Sequence, residues 1–155
     1  MTMAANQRVN IGKQHPAGYK ALIDLSVAVA DATASSGLDP LLVELLKIRT
    51  SQINGCAFCL KMHTRDALKK GENPDRIAVL PAWEETGYFS ETERAALRLT
   101  EAIAQVSQGH VSNASYEAAA VALTDDQISA VAWLATLMNA FNRVAITSRY
   151  TVDSD

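Results

Sequence analysis

The sequence predicts an all-α protein made of a single domain with about six to seven helices. Apolar residues recur at helical spacing along most of the chain, and no alternating strand pattern of useful length is present. Only seven Gly and four Pro occur in 155 residues, mostly where a helix should begin or end. The length fits one domain with its own core. We therefore assign residues 1–155 to one domain, with an N-terminal arm over residues 1–14 and a flexible tail over about 150–155.

The first half of the chain divides into helical segments with recognisable boundaries. Gly37 follows the first segment, and Asp39 with Pro40 supplies an N-cap and a first-turn proline for the second. Asn54 and Gly55 then break the chain before the third segment. We expect helices over residues 17–35, 41–53, about 56–70 and 75–80, and then a loop or short helical turn over 82–89.

Two capping boxes mark the second half of the chain. Ser90 pairs with Glu93, and Thr124 pairs with Gln127, so that each pair can satisfy amides at a helix start. The last helix is long and apolar, and a chain of this size has limited room to bury it on every side. We therefore expect it to contribute to a subunit interface. The predicted helices of this half cover residues 92–107, 113–122 and 128–148.

Charge and hydropathy exclude several function classes. The formal net charge is −3 and the sequence pI is about 5.6, whereas nucleic acids and anionic membranes favour clustered Lys and Arg. No segment approaches 18 uncharged apolar residues, and the first 14 residues lack the apolar run of a signal peptide. We expect a cytoplasmic protein with no nucleic-acid or membrane partner.

The stretch NGCAFCLKMH, residues 54–63, holds both cysteines of the chain and one of its three histidines. On a helix, Cys56, Cys59 and His63 share one face, because they are spaced by three and four residues. The partial positive charge of a helix N-terminus stabilises a thiolate, the reactive form of cysteine. His63 lies one turn after Cys59 and can take its proton.

Three interpretations of these residues are open: a zinc centre, a redox-active dithiol, or two inert buried cysteines. Structural zinc requires four ligands, and this pattern offers only three. His15 and His110 are not at ligand-like spacing and are expected to be solvated. A thioredoxin-like fold requires a βαβ pattern, which this chain lacks.

Glu44 is the carboxylate expected to join this group. It lies among apolar residues of the preceding helix, about ten residues before the break, so an antiparallel hairpin brings it within a turn of His63. A partly buried carboxylate needs a partner. The sequence thus predicts a relay of Glu44, His63 and Cys59 in which a base activates a nucleophile and a third group orients the base.

The final helix carries three polar residues that interrupt its apolar run, Asn139, Asn142 and Arg143. Positions 139 and 143 share a face. Either they line the site, or they make a helix-end ion pair or an interface contact.

Glu44, Cys56-Ala-Phe-Cys59 and His63 together resemble the E-x11-C-x-x-C-x3-H signature of the alkylhydroperoxidase AhpD-like group in the carboxymuconolactone decarboxylase superfamily. The resemblance extends over roughly residues 15–148 and includes LPAWEETGYFSETERAAL and the late NAFNR. It implies an AhpD-like helical fold, a homo-oligomer that is often a hexamer built as a trimer of dimers, and cofactor-free peroxidase activity.

The resemblance also implies roles for the site residues. Cys59 would attack a hydroperoxide and become a sulfenic acid, and Cys56 would condense with it into a Cys56–Cys59 disulfide. Glu44 and His63 would relay the proton, and an unidentified dithiol would reduce the disulfide. The resemblance implies no cofactor and no metal ion.

One position departs from the family pattern. AhpD carries a His immediately before the second cysteine, where this chain has Phe58, so the relay has one member fewer and we expect a low peroxidase rate. The alternatives are a carboxymuconolactone decarboxylase-like lyase and a non-catalytic redox-sensing oligomer. The decarboxylase branch does not use a cysteine pair, which favours the peroxidase.

Overall fold

The computed structural model describes residues 7–154 of the chain, so six residues of the predicted arm and Asp155 lie outside the described part. This part contains nine α-helices, one 3₁₀ helix over Leu80–Glu85, and no strand. The predicted all-α class is therefore confirmed. The helices are α1 (Ile11–Gln14), α2 (Pro16–Ser35), α3 (Pro40–Asn54), α4 (Ala57–Lys69), α5 (Pro74–Val79), α6 (Glu91–Ala104), α7 (Val106–Gly109), α8 (Asn113–Ala120) and α9 (Asp125–Ser148).

The predicted number of helices is too low, because two single-turn helices leave no periodic pattern in the sequence. Helix α1 lies inside the predicted arm, where the Asn10 side chain accepts a hydrogen bond from the Lys13 amide. The Ile11 amide donates to Ser148 Oγ at 3.1 Å, so part of the arm is attached to the last helix. Helix α7 follows α6 after a break at Gln105.

The predicted helix starts are confirmed by their caps. Asp39 accepts from the Leu41 amide at 2.7 Å. Both capping boxes form, and in each the side chain at the cap and the side chain three residues later bond reciprocally to backbone amides. These bonds satisfy amides that no helical carbonyl can reach.

Helix α9 is the central element, and it packs against α2, α3 and α6. Its buried side chains, among them Val131, Leu134 and Met138, join the core cluster with Leu45 and Leu97. Much of its apolar surface is therefore covered within one chain. No helix in residues 7–154 combines the length and hydropathy needed to cross a bilayer.

Helices α3 and α4 form a hairpin, and α4 also contacts α9. As expected, the helix carrying the cysteines packs against the helix carrying Glu44. This hairpin and α9 position the site described next.

Candidate active site

The turn between α3 and α4 places the first cysteine. Gly55 ends α3 in the left-handed conformation, with φ 68° and ψ 36°, which glycine adopts at little cost. The Gly55 amide donates to the Gln52 carbonyl at 3.2 Å, and the Cys56 amide donates to the Ser51 carbonyl at 3.0 Å. These two bonds close the end of α3 and set the position from which α4 begins.

Cys56 is the N-cap of α4, and its sulfur accepts a hydrogen bond from the Cys59 amide at 3.3 Å. The two sulfurs are joined in a disulfide, and the two Cα atoms lie 5.4 Å apart. Both residues are buried, with exposures of 1% and 2%. Ala145 of α9 packs against the pair, so the disulfide is enclosed between α4 and the last helix.

Glu44 and His63 face each other across the α3–α4 hairpin. Oε2 of Glu44 lies 3.7 Å from Nδ1 of His63, which is an ion-pair distance but too long for a hydrogen bond. Oε1 of Glu44 accepts from Lys47 Nζ at 3.0 Å and from Lys70 Nζ at 2.7 Å. Glu44 is 1% exposed, so these contacts compensate a buried charge.

The pKa of Glu44 follows from these contacts. Burial alone raises the pKa of a carboxyl group, but His63, Lys70 and Lys47 outweigh burial here. Together they lower the pKa of Glu44 from 4.5 to about 2. The carboxylate therefore stays ionised at every pH near neutrality.

A mostly apolar cavity of about 780 Å³ opens beside this group. Its walls come from α2, α3, α4 and α9, and they include Val27, Ala30, Leu137 and Phe141. Cys59, His63, Glu44, Lys47 and Lys70 line it as well, but Cys56 is not among the lining residues. Of the two cysteines, Cys59 is therefore the one that faces the cavity.

The start of the predicted flexible tail covers the cysteine pair from another side. Tyr150 packs against the cluster of Cys56, Cys59 and Ala145 and meets the Phe58 ring edge-on, with centroids 5.0 Å apart. Further along the tail, the carbonyl of Asp153 accepts from Lys61 Nζ at 2.7 Å. Burial raises the pKa of the Tyr150 phenol.

Glu44, His63 and Asp66 are the group in the described residues that could reach a single metal ion. One ligand atom from each lies within 4.8 Å of the others. The two ammonium groups that already contact Glu44 would repel a cation there, so the local charge favours a proton-handling role over metal binding.

The sequence resembles those of known proteins. The model of the carboxymuconolactone decarboxylase family matches residues 16–102, which is more than half of the chain. The uncharacterized protein YdfG of Bacillus subtilis (strain 168) is 36% identical over 141 residues, covering 91% of this chain and 93% of YdfG. This chain belongs to the carboxymuconolactone decarboxylase family. The predicted family is thereby confirmed.

A solved structure that resembles this chain is described as a candidate AhpD protein. The Agrobacterium tumefaciens protein ATU0492 is described as a protein of unknown function and a candidate antioxidant defence protein AhpD. It superposes with a TM-score of 0.87 at 29% identity, covering 97% of this chain and 100% of its own. The AhpD-like fold predicted for this family member is therefore confirmed.

The residues matched by the carboxymuconolactone decarboxylase family model include all four predicted site residues, and the structure brings them together at the α3–α4 hairpin. His15 and His110 are exposed, as expected. The suggestion that Asn139, Asn142 and Arg143 line the site is not supported, because none of them lines the cavity. Arg143 instead donates to Asn139. Asn139 and Asn142 each accept from Asn54 at the end of α3.

Sequence reasoning missed Lys47, Lys70 and Tyr150. The two lysines left a signal, because Lys47 follows Glu44 by three residues and Lys70 follows His63 by seven, so each shares a helix face with its neighbour. Tyr150 left none, because its contact with the cysteines depends on how the chain turns after α9.

Proposed function

We propose that this protein is a cofactor-free dithiol peroxidase that reduces organic hydroperoxides. The observation that supports it best is the arrangement at the cavity, where Cys59 lies on the wall together with His63 and Glu44 and is disulfide-bonded to Cys56 behind it. A nucleophile, its base and an orienting carboxylate are the parts such chemistry requires.

The proposed reaction has three steps. The Cys59 thiolate attacks the outer oxygen of the hydroperoxide, which gives Cys59 sulfenic acid and an alkoxide that takes a proton to become an alcohol. The Cys56 thiol then attacks the sulfenic sulfur, which forms the disulfide and releases water. An external dithiol reduces the disulfide by exchange and is itself oxidised.

In this proposal the two relay members have different tasks. His63 accepts the thiol proton, and Glu44 remains a carboxylate that stabilises the protonated imidazole. Glu44 is a poor proton acceptor because its pKa is held at about 2. Its part therefore resembles that of the carboxylate in a Ser-His-Asp triad, which orients a histidine without being protonated.

The cavity supports an organic substrate over hydrogen peroxide. Its volume of about 780 Å³ far exceeds what a peroxide oxygen pair occupies, and its walls are largely apolar. Burying a substrate's apolar part there would hold the peroxide against Cys59.

Two partners complete the proposal, namely a dithiol reductant and further copies of the chain. Three large side chains on one face of α2 are partly or largely exposed beside the cavity, Tyr19, Ile23 and Val27, with Val27 at 58%. Trp133 on α9 is 50% exposed. Such surfaces are typical of homo-oligomers.

The experiment is a peroxidase assay with cumene hydroperoxide and hydrogen peroxide, using dihydrolipoamide or dithiothreitol as reductant. We expect turnover in the wild type and none in Cys59→Ser. Cys56→Ser should give one turnover and a sulfenic acid that dimedone traps on Cys59. Unchanged turnover in Cys59→Ser would sink the proposal.

The same variants separate the alternatives. Lactone turnover that survives Cys59→Ser would favour a lyase. A disulfide that forms with hydroperoxide but is never turned over by any dithiol would favour a redox-sensing oligomer.

A further inference from the structure

The last helix holds the turn that carries Cys56 through one buried amide side chain. Asn142 of α9 has no exposed surface. Its Oδ1 accepts from Asn54 Nδ2 at 2.9 Å, and its Nδ2 donates to Ser51 Oγ at 3.1 Å. Asn142 thus bonds to two residues in the last turn of α3, which precede Cys56 by five and two positions.

These bonds reach the redox centre through the backbone. The Ser51 carbonyl accepts the Cys56 amide, and Asn54 is followed only by Gly55 before Cys56. The turn between them has glycine at its left-handed position, which by itself leaves the chain conformational freedom. The bonds from Ser51 and Asn54 to α9 restrict this turn, and they thereby restrict the position of the Cys56 sulfur.

Two further hydrogen bonds stabilise the amide network around Asn142. Asn54 Nδ2 also donates to Asn139 Oδ1 at 2.8 Å, and the same oxygen accepts from Arg143 Nη1 at 3.1 Å. One turn after Asn142, Ala145 packs against both cysteines. Helix α9 therefore contacts the turn before the disulfide and the disulfide itself with the same rigid face.

We propose that Asn142 is a positioning residue for the Cys56–Cys59 pair, and that its clamp on the Ser51–Cys56 turn lowers the reduction potential of the disulfide. A disulfide forms only within a narrow geometry. Holding Cys56 next to Cys59 in the dithiol state keeps the thiols close, so less conformational freedom is lost when they join. This deepens the proposed redox function and rests on it.

The test measures the potential directly, without any hydroperoxide. The full chain is equilibrated with mixtures of reduced and oxidised dithiothreitol. The fraction of protein in which Cys56 and Cys59 are both reduced is then measured by alkylation and mass spectrometry. Asn142→Leu removes both bonds while keeping the branched shape and the number of side-chain non-hydrogen atoms, and Ser51→Ala removes one of the bonds from the opposite side. We expect the reduction equilibrium to shift toward the dithiol by about tenfold in Asn142→Leu, equal to about 30 mV, and by less in Ser51→Ala.

A matched control separates positioning from general stability. Ile128→Ala truncates a buried residue near the far end of α9, so it should lower the melting temperature of both redox forms and leave the potential unchanged. A residue that only stabilises the fold would behave in the same way. Asn142→Leu should instead destabilise the oxidised form more than the reduced form.

The outcomes are distinct. An unchanged potential in both Asn142→Leu and Ser51→Ala overturns the positioning role, as does a wild-type disulfide that no dithiothreitol ratio reduces. Should Asn142→Leu fail to fold, Ser51→Ala decides alone. A shifted potential in a protein that lacks peroxidase activity supports the positioning role while refuting the proposed function, so the two failures can be told apart.

Discussion

The Oε2 atom of Glu44 lies 3.7 Å from Nδ1 of His63, and neither atom has a hydrogen-bond partner in the described part of the chain. Both atoms are buried, where an unmade hydrogen bond is costly. A small rotation of the imidazole would bring the pair into hydrogen-bond range. We interpret the pair as an orienting contact that tightens when His63 carries a proton on each nitrogen.

The first prediction concerns thiol reactivity. In the reduced protein, Glu44→Gln should slow alkylation of Cys59 at pH 7 by about tenfold, because the protonated His63 loses its nearest negative charge. The measurement is the rate of iodoacetamide labelling, resolved by site with mass spectrometry. Glu72→Gln offers a control, since Glu72 is also buried but pairs with Arg76 outside the site. An alkylation rate equal to that of the wild type would mean that Glu44 is structural only.

The second prediction concerns acid stability. The pKa of Glu44 in the folded protein is about 2, below the ordinary value of 4.5. The ionised carboxylate therefore stabilises the fold above about pH 5, and this contribution is lost as the pH falls toward 2. Glu44→Gln should be less stable than the wild type by roughly 1–3 kcal/mol at pH 7.

The difference between the two proteins should shrink steadily from pH 5 to pH 3. Urea unfolding at a series of pH values measures it. A constant difference across this range would contradict a lowered pKa for Glu44.

The third prediction concerns substrate size. Ala30 is exposed and lines the cavity, so Ala30→Trp should partly fill the cavity without disturbing the core. We expect kcat/KM for cumene hydroperoxide to fall by about tenfold, with little change for hydrogen peroxide. Ala32→Trp is the matched control, because Ala32 is exposed on the same helix but does not line the cavity. Equal losses for both substrates would argue against a substrate site here.

The fourth prediction concerns the segment after α9. Tyr150 covers the cysteine pair, so Tyr150→Ala should let dithiothreitol reduce the disulfide roughly threefold to tenfold faster, because exchange depends on access to sulfur. Tyr150→Phe keeps the ring and should react like the wild type. A stopped-flow reduction assay followed by thiol titration compares the three proteins. If Tyr150→Ala reacts no faster, another element limits access.

The fifth prediction concerns assembly. We expect the wild type to be a homo-oligomer at micromolar concentration by light scattering. Trp133→Glu places a charge on the exposed part of α9 and should weaken association at least tenfold, whereas Trp133→Tyr should not. A monomeric wild type would contradict the expected interface.

Much of this fold is predictable from local chemistry. Capping residues such as Ser90 and Thr124 make local hydrogen bonds, so they mark helix starts in the sequence as well as in the structure. The contact between Glu44 and His63 also follows from the sequence. The break at Gly55 forces a hairpin, and residues at similar distances on either side of the break lie side by side in it. Helix α1 was missed because a single turn has no period and depends on the distant Ser148.

The contacts near the site that the sequence did not predict depend on packing between distant parts of the chain. Asn54 and Asn142 are separated by 88 residues, and no local pattern indicates that they meet. Tyr150 reaches the cysteines where the chain turns back after Arg149, which ends α9 in a left-handed conformation with φ 52°. Such contacts are fixed by how α9 lies against the α3–α4 hairpin.

Cys56 is both the N-cap of α4 and one partner of the disulfide. These two roles decide which measurements would detect a substitution of Cys56. Serine is among the preferred residues at a helix N-cap, so Cys56→Ser keeps the bond to the Cys59 amide while removing the disulfide partner. Such a protein should fold, express and melt much like its parent in the reduced, dithiol state. A survey of variants scored by protein abundance would record Cys56→Ser as harmless, although the proposed peroxidase cycle would stop in it after one turnover.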